Sequence, residues 1–369
     1  MIMKLKQGRI LWVSVALLSG LPVTSIALAQ QSKPRFTEAY PDVIAARLRQ
    51  KDVELQQLRQ APGGAVNELL MRRAVLWQPG QTLTVAFESG TVDLHRKIAE
   101  HAQTWPRFGN LKLDFGWSEK DGEYRSFSYQ DPDYQADIRI SFRSGNDWGG
   151  DWSAIGSQSI KTGYYGPGDP SMNLESAAGE DMDKDELRDL VLHEFGQALA
   201  AEHEHQSPES GCDQQWRWDD DPGYVSTTGD YGQLIDDYYG RRPGVYSYYK
   251  GAPDYWGRKK VDFNLRQLTD SSALDAGQFD DASIMMYRFP ASFLWDGEAS
   301  SCYWKGVKGE LSPLDKSRIG EVYPSDTNMI GEVLKRKRSD AAELATLPDL
   351  PIVRQAIDAL EKSMPKAAE

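Results

Sequence analysis

Three of the five histidines in this chain fall between positions 193 and 205, in the string His193-Glu194-Phe195-Gly196-Gln197-Ala198-Leu199-Ala200-Ala201-Glu202-His203-Glu204-His205-Gln206-Ser207-Pro208. Residues four apart on an α-helix share a face, so a helix through the start of this string sets His193 and Gln197 one turn apart, where both can reach one ion. Imidazole nitrogen is a good donor to zinc, and the Glu194 carboxylate beside it can take a proton from a water at the metal. His203 cannot join them on a continuous helix. Ten residues rise about 15 Å, and a zinc–ligand bond is only about 2 Å long. The chain must therefore turn back sharply after the helix, a task usually given to glycine, which enters the left-handed region without penalty.

Several elements must position this string. The helix that carries it is expected over Lys184 to about Ala200. Before it, Thr82–Phe87, Leu111–Phe115 and Ile138–Phe142 alternate polar and apolar residues as half-buried strands do, and Ser171–Leu174 is a shorter candidate. Leu94, Ile98, Ala102 and Trp105 predict an amphipathic helix over Asp93–Trp105. Gly145–Gly156 reads as a Gly/Trp-rich loop leading into an edge strand. Residues 210–260 are rich in Tyr, Trp, Asp and Gly and receive no regular assignment. Ser312-Pro313 is a capping hydroxyl followed by proline at the first helical position, and predicts a helix to about Val322. No repeat at solenoid spacing is present.

Taken together, His193, Glu194 and His203, with Ser283-Ile284-Met285-Met286-Tyr287 downstream, resemble the metzincin zinc endopeptidases, whose pattern is His-Glu-x-x-His-x-x-Gly-x-x-His followed by a Met-turn. Glu204 after the last histidine and the 283–287 string resemble the astacin-like branch, and the string 203–208 is similar to that of exported bacterial relatives. The resemblance covers roughly residues 75–325. It implies an α+β, metzincin-like zincin fold: a mixed twisted sheet with an active-site helix, then a smaller C-terminal subdomain with the Met-turn and a helix. It implies Zn2+ held by His193, Gln197 and His203, with Glu194 as general base, Tyr287 as donor to the oxyanion and Met285 packed beneath the metal. The implied partner is a peptide or protein substrate lying extended along an edge strand near Trp152–Gly156.

Two positions depart from the pattern. Gln197 stands in place of the second histidine, and Ala200 in place of the turning glycine. An amide oxygen is a weaker donor to zinc than imidazole, and alanine in a left-handed turn costs on the order of 1 kcal/mol relative to glycine. Two functions therefore stand. One is an exported zinc metalloendopeptidase, favoured by Glu194 because a binder has no need of a general base. The other is a catalytically impaired relative that binds peptides or proteins in the cleft, favoured by Gln197. His205 is the one nearby imidazole available as a substitute ligand, and its expected place is outside the metal's reach. His95 and His101 are read as surface or packing residues.

The chain has 369 residues, 40% hydrophobic and 26% charged, which suits a globular protein with a sizeable core. A net charge of -13 gives no general attraction to nucleic acid or anionic lipid. Lys4, Lys6 and Arg9, the apolar run Ile10–Leu18 and Ala27-Leu28-Ala29 read as a signal peptide cut after Ala29, too short to remain as a membrane anchor. The expected location is secreted or periplasmic. The expected divisions are 1–29 signal peptide, 30–75 helical leader or pro-segment, 76–325 metalloendopeptidase-like domain and 326–369 charged, partly helical tail. In the leader, helices are predicted over Asp42–Leu58 and Val66–Val75, separated by Ala61-Pro62-Gly63-Gly64. Cys212 and Cys302, an even pair in an exported chain, favour one disulfide over two separate thiols. Asp219-Asp220-Asp221 reads as a solvated acidic loop ahead of a calcium site, and the aromatic stretch 238–256 as packing ahead of a cleft wall.

Overall fold

The computed structural model describes Glu38, residues 40–145, 148–179, 182–267 and 278–363. The expected signal peptide lies outside these residues. Strand β1 (Thr82–Phe87) buries Leu83, Val85 and Phe87 on one face, as its alternation predicts. It pairs in parallel with β2 (Lys112–Asp114) on one side and β3 (Ile138–Ser141) on the other. β3 pairs in parallel with β5 (Met172–Leu174), and β4 (Asp151–Ser153) closes the sheet as an antiparallel edge, with Trp152 opposite Asn173. The order is β2-β1-β3-β5-β4. The sheet is mixed and mostly parallel; the resemblance implied an α+β fold with a mixed twisted sheet, and the mixed sheet with its packed α4 is what forms. β3 is buried on both faces, as inner strands of such sheets are, and it carries a fully buried Arg139. The guanidinium donates to the carbonyls of Asp169, Ala136 and Ser159, and burial pushes it down to about 10.

Helix α3 (Val92–Ala102) is capped by the Thr91 side chain and ends three residues short of the expected Trp105. Trp105 instead opens a 3₁₀ turn whose Pro106 suits a helix start, and its indole donates to the Leu192 carbonyl of helix α4. α4 (Lys184–Ala198) is capped by Asp183, with Asp185 and Glu186 in the first turn, where negative charge is favoured. Its Leu187, Val191, Leu192, Phe195 and Ala198 pack with the sheet in the main core.

Beyond the sheet half lie α5 (Cys212–Gln215), the small hairpin β6 (Thr227–Thr228) and β7 (Leu234–Ile235), α6 (Val245–Lys250) and α7 (Arg258–Leu265). They surround a second core of Trp216, Tyr249, Trp256, Phe289 and Phe293, and Cys212 is disulfide-bonded to Cys302 inside it. The aromatic stretch is thus divided: Tyr249 and Trp256 pack in this core, whereas Tyr238, Tyr239 and Tyr255 face solvent. Asp220 and Asp221 serve local structure, accepting from Gly244, Ser247, Arg217 and Arg242. Helix α8 (Pro313–Val322) starts at Ser312 as expected, with Asp315 completing a capping box.

Leader and tail are not separate appendages. The leader forms α1 (Asp42–Gln60) and α2 (Gly64–Arg73), the tail α9 (Thr327–Leu344) and α10 (Pro351–Ser363). Together they enclose a third core of Leu58, Leu70, Ala74, Leu344, Ile352, Val353, Ala356 and Leu360. Among the described residues no helix is long and apolar enough to cross a membrane.

Candidate metal centre

α4 delivers His193, Glu194 and Gln197 and then stops. The Leu199 amide bonds back to Phe195, and Ala200 takes φ +72°, the left-handed turn the spacing demands, without glycine. The carbonyls at the helix end are held by distant side chains: Trp77 Nε1 donates to Ala198 O at 2.8 Å, and the Tyr323 hydroxyl to Leu199 O at 3.0 Å. The reversed chain then returns His203 beside His193, their ring centres 5.3 Å apart.

The Met-turn lies against this helix. A Cβ added at Gly196 would come within 2.4 Å of the Met285 sulfur, so only glycine lets the turn approach so closely. The turn itself is held by Asp315 of α8, whose carboxylate accepts from Ser283 Oγ at 2.6 Å and from the Ile284 amide at 2.9 Å. Ile284 in turn accepts His193 Nδ1 at 2.7 Å. A carbonyl can only accept, so His193 Nδ1 carries a proton and Nε2 is the atom that faces the centre. His203 is set the same way. Gln206 commits its amide nitrogen to the carbonyls of Phe263 and Arg266, which leaves its Oε1 to accept His203 Nδ1 at 3.2 Å. Glu204 ties the returning strand down: its backbone amide bonds Met285 O, and its side chain accepts from Arg318 and from the Asp280 amide.

A residue that the sequence did not single out completes the cluster. Glu38, from the leader, brings Oε2 to 2.8 Å from His193 Nε2, and its two oxygens to 3.1 and 3.2 Å from His203 Nε2. His193 Nε2 lies at ion-pair distance yet without the direction of a hydrogen bond, so it counts among the buried atoms that lack a partner. Gln197 is fully buried. It donates its amide nitrogen to Glu38 at 2.5 Å and lies 2.6 Å from His203 Nε2, while its own oxygen has no partner. Tyr287 packs its ring 4.3 Å from that of His203, and its hydroxyl donates to the Glu38 backbone carbonyl at 3.2 Å. No spacing rule marks Glu38 in the sequence, since it lies 155 residues from His193.

Burial works to raise the Glu38 carboxyl, and the imidazoles of His203 and His193 outweigh it and hold the group below its ordinary range. Glu194 is 1% exposed. Burial, then the Glu38 and Asp151 carboxylates, push it well above the usual value, and its Oε2 has no hydrogen-bond partner. A carboxyl held in this way is suited to accept a proton. His205 turns from the centre: Nε2 reaches the Asn264 carbonyl at 3.1 Å, and the ring packs on Tyr287 and Phe289. His95 stacks on Phe87, and neither it nor the buried His101 approaches the site.

The donor atoms of Glu38, His193 and His203 all lie within 4.8 Å of one another. Two imidazole nitrogens and one carboxylate are a donor set that zinc takes in enzymes, and with both Nε2 atoms turned inward the residues fit such an ion, which would displace any proton held there. No family model and no curated protein matches the chain. Among solved structures it is similar to myroilysin, at 26% identity over 69% of this chain and 98% of that one, with a TM-score of 0.50. A second myroilysin structure aligns at 26% identity, over 68% and 86%, with a TM-score of 0.42. High choriolytic enzyme 1, a hatching enzyme zinc-protease of the medaka fish Oryzias latipes, aligns at 15% identity over 68% and 94%, with a TM-score of 0.37. The first of these likenesses is the one that bears weight. The fold is the one the metzincin-like proteases share.

Proposed function

We propose that this chain is an exported zinc metalloendopeptidase that hydrolyses peptide bonds. One observation carries the reading: the Nε2 atoms of His193 and His203 and the carboxylate of Glu38 lie within 4.8 Å of one another at the end of α4, the helix that also carries the buried Glu194. His193 and His203 would hold the ion, with position 197 beside them. Zinc bound there would acidify a water and polarise the scissile carbonyl.

The remaining work falls to the chain's own residues. Glu194 takes a proton from the attacking water and returns it to the leaving amine. Its neighbours raise its affinity for that proton, and its burial keeps bulk water from competing. The Tyr287 hydroxyl already donates to a backbone carbonyl, that of Glu38, which is the kind of group a substrate presents at the reacting bond. The same donor would stabilise the oxyanion. β4 is the edge strand along which an extended peptide can pair, and the leader lies against it, with the Tyr40 hydroxyl donating to Ser153 O at 2.9 Å.

A second reading, a catalytically impaired relative that binds peptides or proteins in the cleft, is favoured by one observation. Gln197 turns towards the centre an amide nitrogen that has no lone pair to give an ion. The test is cleavage of an unfolded fluorogenic protein by exported, zinc-supplemented protein and by Glu194→Gln. Loss of a general base lowers kcat/KM by about 10²–10⁴-fold. Equal rates in the two proteins would remove Glu194 from the chemistry, and no turnover by zinc-loaded wild type would favour the binder. Export itself predicts that sequencing of the protein recovered outside the cytoplasm begins at Gln30. A chain beginning at Met1 would contradict the signal-peptide assignment.

A further inference from the structure

We propose that the cavity walled by the leader, the segment after the edge strand and the tail is a peptide-binding site, in which Lys161 receives the free C-terminal carboxylate of an apolar peptide. The proposal concerns binding alone and stands whether or not the metal centre is catalytic.

The cavity has a volume of about 400 Å³, within the range of ligand sites. Four parts of the chain meet around it. α1 and α2 bring Leu55 and Met71, α7 brings Phe263, and α10 brings Ile352; the segment after β4 adds Ile155 and Lys161. Charge narrows the ligand. Of the charged side chains in the wall, Arg72 pairs with Glu202, and Arg266 pairs with Asp262 and, outside the wall, with Asp213. Lys161 is left over. Among the described residues no carboxylate lies within ion-pair distance of it, and its hydrogen bond, to the Ala74 carbonyl at 3.4 Å, is longer than the usual range. Burial holds this ammonium down to about 8, while Asp358 acts on it from a distance to raise it and Lys337 to lower it. An ammonium has three N–H groups to give, and a carboxylate seated beside it would accept them and offset its desolvation.

The rest of the wall suits a peptide better than a plain hydrocarbon chain. Gln158 and Gln355 stand among its apolar side chains, and a side-chain amide can donate to a peptide carbonyl and accept from a peptide N–H. Gln355 lies over Gly163, where an added Cβ would come within 2.4 Å of its Nε2, and its Oε1 has no hydrogen-bond partner. That contact brings the α10 amide to the same short loop that carries Lys161. The cavity also reaches His203 and Gln206, so a peptide held there lies beside the candidate metal centre.

The test is calorimetric titration of the full-length exported protein with acetyl-Leu-Ala-Leu, made as the free acid and as the C-terminal amide, with mass spectrometry to confirm that the peptide stays intact. The free acid should bind at least about 10-fold more tightly than the amide, since losing one partner of a buried charge pair costs more than that factor. Lys161→Met should bring the acid down to the affinity of the amide, and Lys161→Arg should keep the preference. Where circular dichroism shows that methionine disturbs the fold, Gln355→Glu reports instead: it leaves Lys161 in place, sets a rival carboxylate in the wall, and should also remove the preference. Equal affinity for acid and amide in wild type, or a preference that survives in the folded Lys161 and Gln355 variants, would overturn the proposal. Tighter binding of laurate than of the peptide acid would overturn the assignment to a peptide. None of these affinities depends on Glu194, so a failed peptidase reading leaves them readable.

Discussion

At the scale of single residues, the site depends on two side chains that break the pattern and one that no pattern names. Ala200 holds a left-handed turn at φ +72°, where a Cβ meets the following carbonyl. Ala200→Gly should stabilise the fold by about 1 kcal/mol, read as a higher urea midpoint at unchanged slope. A lower midpoint would mean that the contact of the Ala200 Cβ with the tight turn at Gly156 outweighs the backbone strain. Gly196 shows the opposite case. It is glycine because Met285 packs directly on it, and its φ is that of an ordinary helix. The string gave no hint of this, since the sulfur comes from 89 positions away. Gln197 was expected from the resemblance to offer an oxygen to the metal. Its amide orientation depends on Glu38, a partner 159 positions distant.

At the scale of elements, two short pieces hold the centre from behind. α4 ends where Trp77 and Tyr323 take up its last carbonyls, and the capping box of α8 doubles as the clamp on the Met-turn. The Ser312-Pro313 start of α8 was legible in the sequence because capping is a local preference. That Asp315 also bonds Ser283 and the Ile284 amide was not, because those groups lie about thirty residues earlier. Asp315→Asn keeps the shape but replaces an acceptor-only carboxylate that receives three donors. It should cost about 1–3 kcal/mol in chemical denaturation. A cost below a few tenths would show that the Met-turn holds its shape without this clamp.

At the scale of the whole molecule, leader and tail make one structure that closes over the site. Lys337 of α9 donates to the carbonyls of Leu76 and Trp77, where the leader enters the sheet domain, and Arg73 pairs with Asp340. The Ile352 amide bonds Glu54 of α1 at 2.7 Å. Leu344→Ala, in the core these helices share, should cost about 2–5 kcal/mol and make the 61–64 turn between α1 and α2 the first site of limited proteolysis. If the turn stayed as resistant as in wild type, the leader would be held by the sheet domain alone.

By itself the sequence determined the parts whose signals are local. The helix that carries His193 and Glu194, the alternation of β1 and β3, the α8 cap and the two leader helices each follow from local signals over a few residues, because side-chain direction repeats with the backbone, whereas the turn at 283–287 was named from the family resemblance. The expected ends of α3 and α4 were off by two or three residues, since a 3₁₀ turn and a capping residue continue the same apolar pattern. Only the tertiary structure decided that Glu38 stands beside His193 and His203, that Gln197 turns its nitrogen towards them, and that leader and tail share a core. Contacts spanning up to 298 positions, as between Glu54 and Ile352, leave no period in the chain. They exist only once the folded elements bring their ends together.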